Sequence, residues 1–258
     1  MSRPPGLLAA ASATTALLAA TALAATALTG CAAPGGGTVV TPAAAPPVPA
    51  SVAPAAAAAV PSPAGLPGLG PRTLARIPSA ARQVLVVTGQ GADSDRSDVV
   101  LYQRTPDGWQ PGPSWPAHNA LHGWTTHHTA DDLHSPIGVF TLTDAGGRLA
   151  DPGSKLPYTR SRSGYRLTGT GFSGEPLADA FDYVIAINYN HVPGTTPLDW
   201  TRPLGAAAGG GIWLHVDHGG ATHGCVSLPR ADMIQLLRTL APSLHPVVVM
   251  GDRAHLQQ

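Results

Sequence analysis

The chain has 258 residues, and its 15 basic Lys and Arg residues balance 15 acidic ones, so the formal net charge is zero. This balance argues against a nucleic-acid-binding protein, which needs a basic surface. The length allows one medium-sized domain with additional segments, because a domain typically takes about 100–200 residues.

Residues 1–31 have the pattern of a bacterial lipoprotein signal peptide with its lipobox. Arg3 supplies a positive charge, an apolar run extends from about Leu7 to Leu28, and "LTGC" ends at Cys31. In such a pattern Cys31 becomes the lipidated N-terminus of the mature protein. The alternative is an uncleaved membrane-anchor helix, since the apolar run is near the length that spans a bilayer. Either interpretation predicts an exported protein held at the outer face of the cytoplasmic membrane, within the cell wall.

The chain has only two cysteines, Cys31 and Cys225. If Cys31 carries lipid, Cys225 has no partner for an internal disulfide. An unpaired thiol in an exported protein is open to oxidation. The pattern therefore favours a chemical use for Cys225.

Composition divides the remainder of the chain into three segments. Residues 32–72 are rich in Pro, Ala and Gly and predict a disordered linker, because they cannot bury enough apolar surface to offset the entropy of ordering. Residues 73–252 are the predicted globular domain, and residues 253–258 are left as a C-terminal tail.

Within the domain, short β-rich runs are separated by Gly, Pro and Asp. The predicted strands are 83–89, 98–104, 135–143, 164–169, 181–190, 210–216 and 246–251, with a hairpin turn at 105–109. One amphipathic helix is predicted over 229–240, between two prolines that suit its first turn and its end. Because the strands do not alternate regularly with helices, the pattern predicts a mainly β fold, a sandwich or barrel with one or a few short helices.

The chemically richest segment is "WLHVDHGGATHGCVSL", residues 213–228. Strand alternation places Trp213 and His215 on the face opposite to their aliphatic neighbours. A glycine-rich loop then leads to Cys225. A free thiol has a pKa of about 8.5, so only a few per cent is thiolate near pH 7. Either an imidazolium lowers the pKa of the thiol, or a neutral imidazole takes its proton during attack.

The turn before the thiol is suited to acyl chemistry. Gly224 has no side chain, which predicts space for an acyl group. The backbone N–H groups around Gly224 and Cys225 are candidates for an oxyanion hole.

These residues resemble the signature of the L,D-transpeptidases, the YkuD-type family. The family pattern has an upstream His, a loop, and Ser/Thr-His-Gly-Cys before an apolar residue, and residues 222–226 match that core in order. "SPIGVF" at 135–140 resembles the family's Thr/Ser-Pro-x-Gly-x-Phe strand. The resemblance covers about residues 82–252, and it implies an L,D-transpeptidase-like β-sandwich.

The resemblance implies a cofactor-independent acyl transferase that acts on peptidoglycan stem peptides. Cys225 would attack the carbonyl between the third and fourth residues of a stem and expel D-Ala, and an amine of a neighbouring stem would resolve the thioester as a 3→3 cross-link. His215 matches the catalytic base, whose partner in the family is often a backbone carbonyl. His223 and Gly224 match positions that shape the nucleophile loop and the oxyanion hole.

Two departures from the family pattern bear on substrate preference. Seven residues separate His215 from His223, fewer than is common, and Ser227 stands where many members have Arg or Asn. The residues predicted to contact substrate are Trp213, Thr222, Tyr189 and Asn190. The expected partners are stem peptides and, through Cys31, the membrane; the protein is expected to be a monomer that binds no nucleic acid.

Several alternatives remain open from the sequence. The same site could be an L,D-carboxypeptidase, with water as acceptor, or a non-catalytic wall-binding lipoprotein. Zinc is a weaker alternative: His215, His218, His223 and Cys225 are competent ligand types, but their spacing matches no standard zinc signature. We therefore predict no metal, an exposed loop position for His218, and either a surface-loop or a groove position for the histidines between 118 and 134.

Overall fold

The structure, a computed structural model, describes residues 65–258. The predicted signal segment 1–31, Cys31 and the linker up to residue 64 lie outside the described residues. Among residues 65–258, no helix is both long and apolar enough to cross a membrane.

The fold of this part is mainly β, as predicted, with a few short helices. The strands are β1 (Gln83–Gly89), β2 (Arg96–Thr105), β3 (Gly108–His118), β4 (Trp124–Thr125), β5 (Ser135–Pro136), β6 (Gly138–Thr141), β7 (Ala145–Gly147), β8 (Tyr158–Arg160), β9 (Val184–Ala186), β10 (Trp213–Val216), β11 (Val226–Leu228) and β12 (Val247–Asp252). The helices are α1 (Pro71–Leu74), α2 (Arg230–Thr239) and α3 (Arg253–Leu256). Ten strands form one large curled sheet in the order β6-β12-β1-β2-β3-β11-β10-β9-β7-β8, and β4 and β5 form a separate parallel pair.

Strand β1 lies inside the sheet and is buried on both faces. It pairs in parallel with β12 and antiparallel with β2. On one face, Leu85 and Val87 belong to the larger hydrophobic cluster, which also includes the buried side chains of α2. On the opposite face, Val84 and Val86 belong to a second cluster. The continuous apolar run of β1 in the sequence follows from this two-sided burial.

Strand β3 was not predicted because three prolines interrupt it. It pairs along its length with β2 through the hairpin whose turn was predicted, where Thr105 faces Gly108. On its other side it pairs with β11 only at His118. Over most of its length β3 is therefore an edge strand, and an edge tolerates residues that lack an N–H group.

The predicted strand at 164–169 is wrong, because these residues form a turn and an irregular stretch. Its Tyr165 is fully buried and lies edge-on to Trp213, with 5.8 Å between the ring centroids. Tyr165 instead anchors this irregular stretch by packing on Trp213 of β10.

The two ends of the described chain pack together, and this changes both predicted domain boundaries. Residues 65–72, assigned from the sequence to the linker, include buried Leu66, and the Gly70 N–H donates to the Leu256 carbonyl at 2.8 Å. Residues 253–258, assigned to a tail, include α3, whose Leu256 is buried in the same cluster as Leu66. The folded domain thus includes residues 65–72 and the C-terminal helix.

We expect Leu66→Ala to lower the free energy of unfolding by about 2 kcal/mol, since it removes a buried aliphatic side chain from a packed cluster. Leu204→Ala is the matched control, because Leu204 is 66% exposed and should change stability by less than about 0.5 kcal/mol. Urea denaturation measures both. Equal, negligible effects would mean that residues 65–72 do not belong to the folded domain.

Candidate active site

The thiol and its predicted base are brought together by the parallel pairing of β10 and β11. Leu214 faces Val226 and His215 faces Ser227, so the same register places Cys225 beside Trp213. The backbone N–H of Trp213 donates to the Cys225 Sγ, with 3.4 Å between nitrogen and sulfur. His215 lies two residues further along β10 on the same face, a step of about 6–7 Å along the strand.

Cys225 and His215 line one cavity of about 200 Å³, whose other walls are largely apolar. Phe172 and His223 stand at its rim and lie close to each other, with 4.7 Å between their ring centroids. Cys225 is half-buried and lines this cavity, so aliphatic packing does not enclose it on every side. The two residues that matter most in the predicted mechanism therefore face the same space.

His215 is held in one orientation by its own strand. The residue is 3% exposed, and its Nδ1 lies 2.9 Å from the Val216 carbonyl oxygen. Because a carbonyl only accepts, Nδ1 carries the proton in this contact and Nε2 keeps its lone pair. Burial lowers the pKa of His215 to about 4, partly opposed by the bond to Val216, so the imidazole is neutral near pH 7.

Cys225 is likewise neutral at rest. Burial raises the pKa of the thiol to about 11, and the Trp213 N–H opposes this only in part. The thiol also contacts the Gly211 carbonyl, with 3.6 Å between S and O. Of the two routes left open by the sequence, this geometry favours a thiol that passes its proton to neutral His215 as it attacks.

Two hydroxyl groups hold the turn that carries the thiol by hydrogen bonds to its backbone carbonyls. Ser135, fully buried at the start of "SPIGVF", donates from Oγ to the Gly224 carbonyl at 2.9 Å, and the Thr222 hydroxyl donates to the Cys225 carbonyl at 2.7 Å. Sequence reasoning found the motif around Ser135 but not this role. A Cβ on Gly224 would lie 2.9 Å from the Ile212 Cδ1, the flexible end of that side chain. Gly224 lines a cavity of about 420 Å³ together with Cys225, and its predicted role beside the acyl group stays a prediction.

The YkuD family model, described as the L,D-transpeptidase catalytic domain, matches residues 86–249. The chain belongs to this L,D-transpeptidase family. Among solved structures, that of Bd1075 from Bdellovibrio bacteriovorus matches with 16% identity and a TM-score of 0.37, over 67% of this chain and 48% of that one. The chain thus corresponds to about half the length of that structure. No curated protein sequence matches it.

His218 is not the exposed loop residue that the sequence predicted for this L,D-transpeptidase domain. Its side chain is 7% exposed and stacks on His215, with 5.6 Å between the ring centroids and 10° between the planes. The His218 Nδ1 lies 3.3 Å from the Glu175 carboxylate, and the backbone N–H groups of Glu175 and Ser173 lower the pKa of that carboxyl. Glu175 sits between Gly171 and Gly220, where a Cβ on either glycine would overlap its carboxylate. Gly220, one of the two glycines that suggested a flexible loop, therefore makes room for the contact between His218 and Glu175.

Ser227, one of the two departures from the family pattern, belongs to a hydrogen-bond network next to the L,D-transpeptidase site. Its hydroxyl donates to Asp217 at 2.8 Å, and the His118 Nδ1 lies 2.9 Å from the same carboxylate oxygen. These partners hold the pKa of Asp217 at about 2 against the opposing effect of burial, and Asp217 in turn raises the pKa of His118. The network ties the start of the short loop to β3 and β11.

Three of the residues predicted to contact substrate make contacts within the protein, and their role towards substrate stays a prediction. The Tyr189 hydroxyl donates to the Ala208 carbonyl at 2.9 Å, and the Asn190 amide donates to the Gly205 and Gly209 carbonyls, so both hold the 204–209 loop. Trp213 is 5% exposed and packs among aromatic side chains. Thr222 does line the cavity of the thiol, together with His223.

The histidines between 118 and 134 are spread over separate contacts. His128 lies 3.0 Å from Asp132, and His122 packs edge-on to His134 at 5.5 Å between ring centroids. Among residues 65–258, no group of three or more His, Cys, Asp and Glu side chains is arranged to hold a metal ion. Neither the histidines between 118 and 134 nor the residues considered as zinc ligands around Cys225 form such a group.

We expect the rate of Cys225 alkylation by iodoacetamide to rise continuously from pH 5 to pH 10. A raised thiol pKa and a lowered imidazole pKa leave both groups neutral between about pH 4 and 11, so no thiolate–imidazolium pair forms in that window. Alkylation is measured by mass spectrometry, and Cys225→Ser corrects for reaction at Cys31. A rate plateau below pH 7 would contradict the neutral pair.

Proposed function

We propose that the protein catalyses cysteine-dependent acyl transfer on peptidoglycan stem peptides and forms 3→3 cross-links through a Cys225 thioester. The observation that carries this proposal is the cavity shared by the Cys225 thiol and a neutral, oriented His215. Membership of the L,D-transpeptidase family supplies the reaction class and the stem-peptide substrate.

In the first half-reaction the Cys225 sulfur attacks the carbonyl carbon that joins the third and fourth stem residues. The thiol proton passes to the free Nε2 of His215, and an S–C bond forms. His215 then returns that proton to the departing amine as the C–N bond breaks, which releases D-Ala and leaves the thioester.

In the second half-reaction an amine of a neighbouring stem attacks the thioester carbon. His215 takes a proton from this amine, the S–C bond breaks, and the proton returns to sulfur. The overall change is one amide exchanged for another, so no cofactor and no oxidant are needed.

The Cys225 N–H is the best-placed candidate for an oxyanion donor. The Gly224 carbonyl accepts from buried Ser135, and in a trans peptide the N–H of the next residue points in the opposite direction. This directs the Cys225 N–H away from the Ser135 side of the turn. Removal of one such donor in acyl-transfer enzymes costs about 10²–10³ in rate.

We expect a protein of residues 65–258, incubated with disaccharide-tetrapeptide, to yield a cross-linked dimer that has lost one D-Ala, detected by mass spectrometry. Cys225→Ala should abolish both the dimer and the thioester, and His215→Asn should lower turnover by about 10²–10⁴. His245→Asn is the matched control, since His245 is exposed and its left-handed backbone (φ 45°) suits Asn.

Other products would assign other functions. Tripeptide without dimer would indicate an L,D-carboxypeptidase, and binding that survives in Cys225→Ala without turnover would indicate a wall-binding protein. Turnover that stops with a chelator would indicate a metal-dependent hydrolase. Any of these results would overturn the transpeptidase proposal.

We also propose that the protein is exported and anchored by lipid at Cys31, a proposal that rests on the sequence pattern of residues 1–31. In cells supplied with a clickable palmitate analogue, the wild-type protein and Cys225→Ser should be labelled and Cys31→Ser should not. Label that persists in Cys31→Ser, or an unlabelled wild type, would contradict the anchor.

A further inference from the structure

A wide cavity with two arginines, here called the basic cavity, lies where the described chain enters the domain. Its volume is about 740 Å³, and its walls include Leu66, Leu74, Ile77, Arg82, Arg104 and Trp109. None of the described residues that line it is acidic, and it shares no residue with the two cavities that contain Cys225. The proposed reaction therefore makes no use of this space.

Arg82 and Arg104 bring two positive charges to the basic cavity from neighbouring segments, since the Arg104 backbone N–H donates to the Arg82 carbonyl at 2.8 Å. The Arg82 guanidinium donates to the Ser79 carbonyl at 2.8 Å, and the Arg104 guanidinium lies over the Trp109 ring, 5.3 Å from its centroid. Both arginines are exposed, and neither forms an ion pair with any of residues 65–258. Their charges are thus oriented by the protein and neutralised by none of its described carboxylates.

The segment that builds this wall has a local excess of positive charge, although the formal net charge of the chain is zero. Between residues 65 and 92 the only charged residues are Arg72, Arg76 and Arg82, and the first acidic residue after them is Asp93. Arg72 and Arg76 are exposed and line a second cavity of about 240 Å³. This surface therefore favours a negatively charged partner.

Helix α1 adds an apolar side chain between the two groups of arginines. Its Leu74 lines the basic cavity and is 38% exposed, whereas its Thr73 lines the second cavity. Guanidinium groups bind phosphate well because their planar N–H groups match two phosphate oxygens. Cations beside an exposed aliphatic side chain suit a ligand with a phosphate and an apolar part, which is the chemistry of an anionic phospholipid.

The path of the chain places this surface next to the segment that leads to Cys31. Leu66 is buried in the wall of the basic cavity, and residues 32–64 join Gly65 to Cys31. A segment of this length reaches at most about 120 Å. A lipid at Cys31 would therefore keep the basic cavity close to the membrane, where even a weak contact becomes an intramolecular one.

We propose that the basic cavity docks the domain on an anionic phospholipid bilayer. Arg82 and Arg104 bind the lipid phosphate, and Leu74 packs against the apolar region below the headgroup. The inference rests on the lipid anchor proposed at Cys31 and adds a second contact with the same membrane. Because the basic cavity is separate from the cavities of the thiol, docking does not occupy the catalytic space.

The test measures vesicle binding by co-sedimentation with residues 31–258 carrying Cys31→Ser, so that no lipid is attached and the whole folded domain is present. We expect this protein to bind equimolar phosphatidylglycerol and phosphatidylcholine about tenfold or more tighter than phosphatidylcholine alone, and added salt should weaken the binding. Arg82→Gln combined with Arg104→Gln should lose about tenfold or more on the anionic vesicles, because each basic residue at an anionic surface contributes about fivefold in affinity.

Two further variants separate the docking surface from total charge and from folding. Arg162→Gln combined with Arg166→Gln is the matched control, since it removes the same charge from exposed arginines outside the basic cavity and should change binding by less than about twofold. Arg82→Lys combined with Arg104→Lys keeps both charges and should stay within about threefold of the unsubstituted arginines. Thermal melting checks that each variant is folded.

Equal binding to neutral and anionic vesicles, or equal losses in the two Gln pairs, would overturn the docking surface. Soluble poly(glycerol phosphate) that binds as tightly per phosphate as the anionic vesicles would overturn it too, because the partner would then be a wall polymer. Vesicle binding requires neither turnover nor lipidation. A failure of the transpeptidase proposal would therefore appear in the product assay, and a failure of the Cys31 anchor in the palmitate labelling.

Discussion

The parallel register of β10 against β11 is the constraint on which the site depends. It sets Cys225 beside Trp213 of β10, and His215 lies on the same face of β10 as Trp213. A slip of one residue would turn every side chain of a strand to the opposite face and separate sulfur from imidazole. Leu214, Val226 and Leu228, all fully buried, hold the register by filling the core beneath it.

Burial moves both Cys225 and His215 towards their neutral forms. It raises the pKa of the Cys225 thiol and lowers that of the His215 imidazole, so a charged pair is not the resting state. A buried site of this kind strengthens the interactions that form when charge develops on the substrate. His218, stacked on His215 and paired with Glu175, adds a positive charge close by whenever it is protonated, and this further disfavours a proton on His215.

The sequence was most informative where local pattern and chemistry coincide. The mainly β fold, helix α2, the turn at 105–109 and the shared cavity of His215 and Cys225 follow from alternation, turn residues and the Thr-His-Gly-Cys core. Strand β3 was missed because edge pairing tolerates the prolines that normally exclude a strand. Glu175 was missed because its position depends on Gly220, far along the chain, which lets the carboxylate approach the backbone, a relation that no short-range pattern contains. The contact of the Asn190 amide with the backbone of a loop is likewise a long-range feature that no short pattern predicts.

The packing of residues 65–72 against α3 has a consequence for mechanical load. A pull on the chain ahead of residue 65 would first be borne by the Leu66 and Leu256 cluster and by bonds such as that from Gly70 to Leu256. From there the force would pass into β12, and the strands β1, β2 and β3 stand between β12 and β11 in the sheet. Tension applied at residue 65 is therefore spread across several ladders of hydrogen bonds before it can disturb the turn that carries the sulfur.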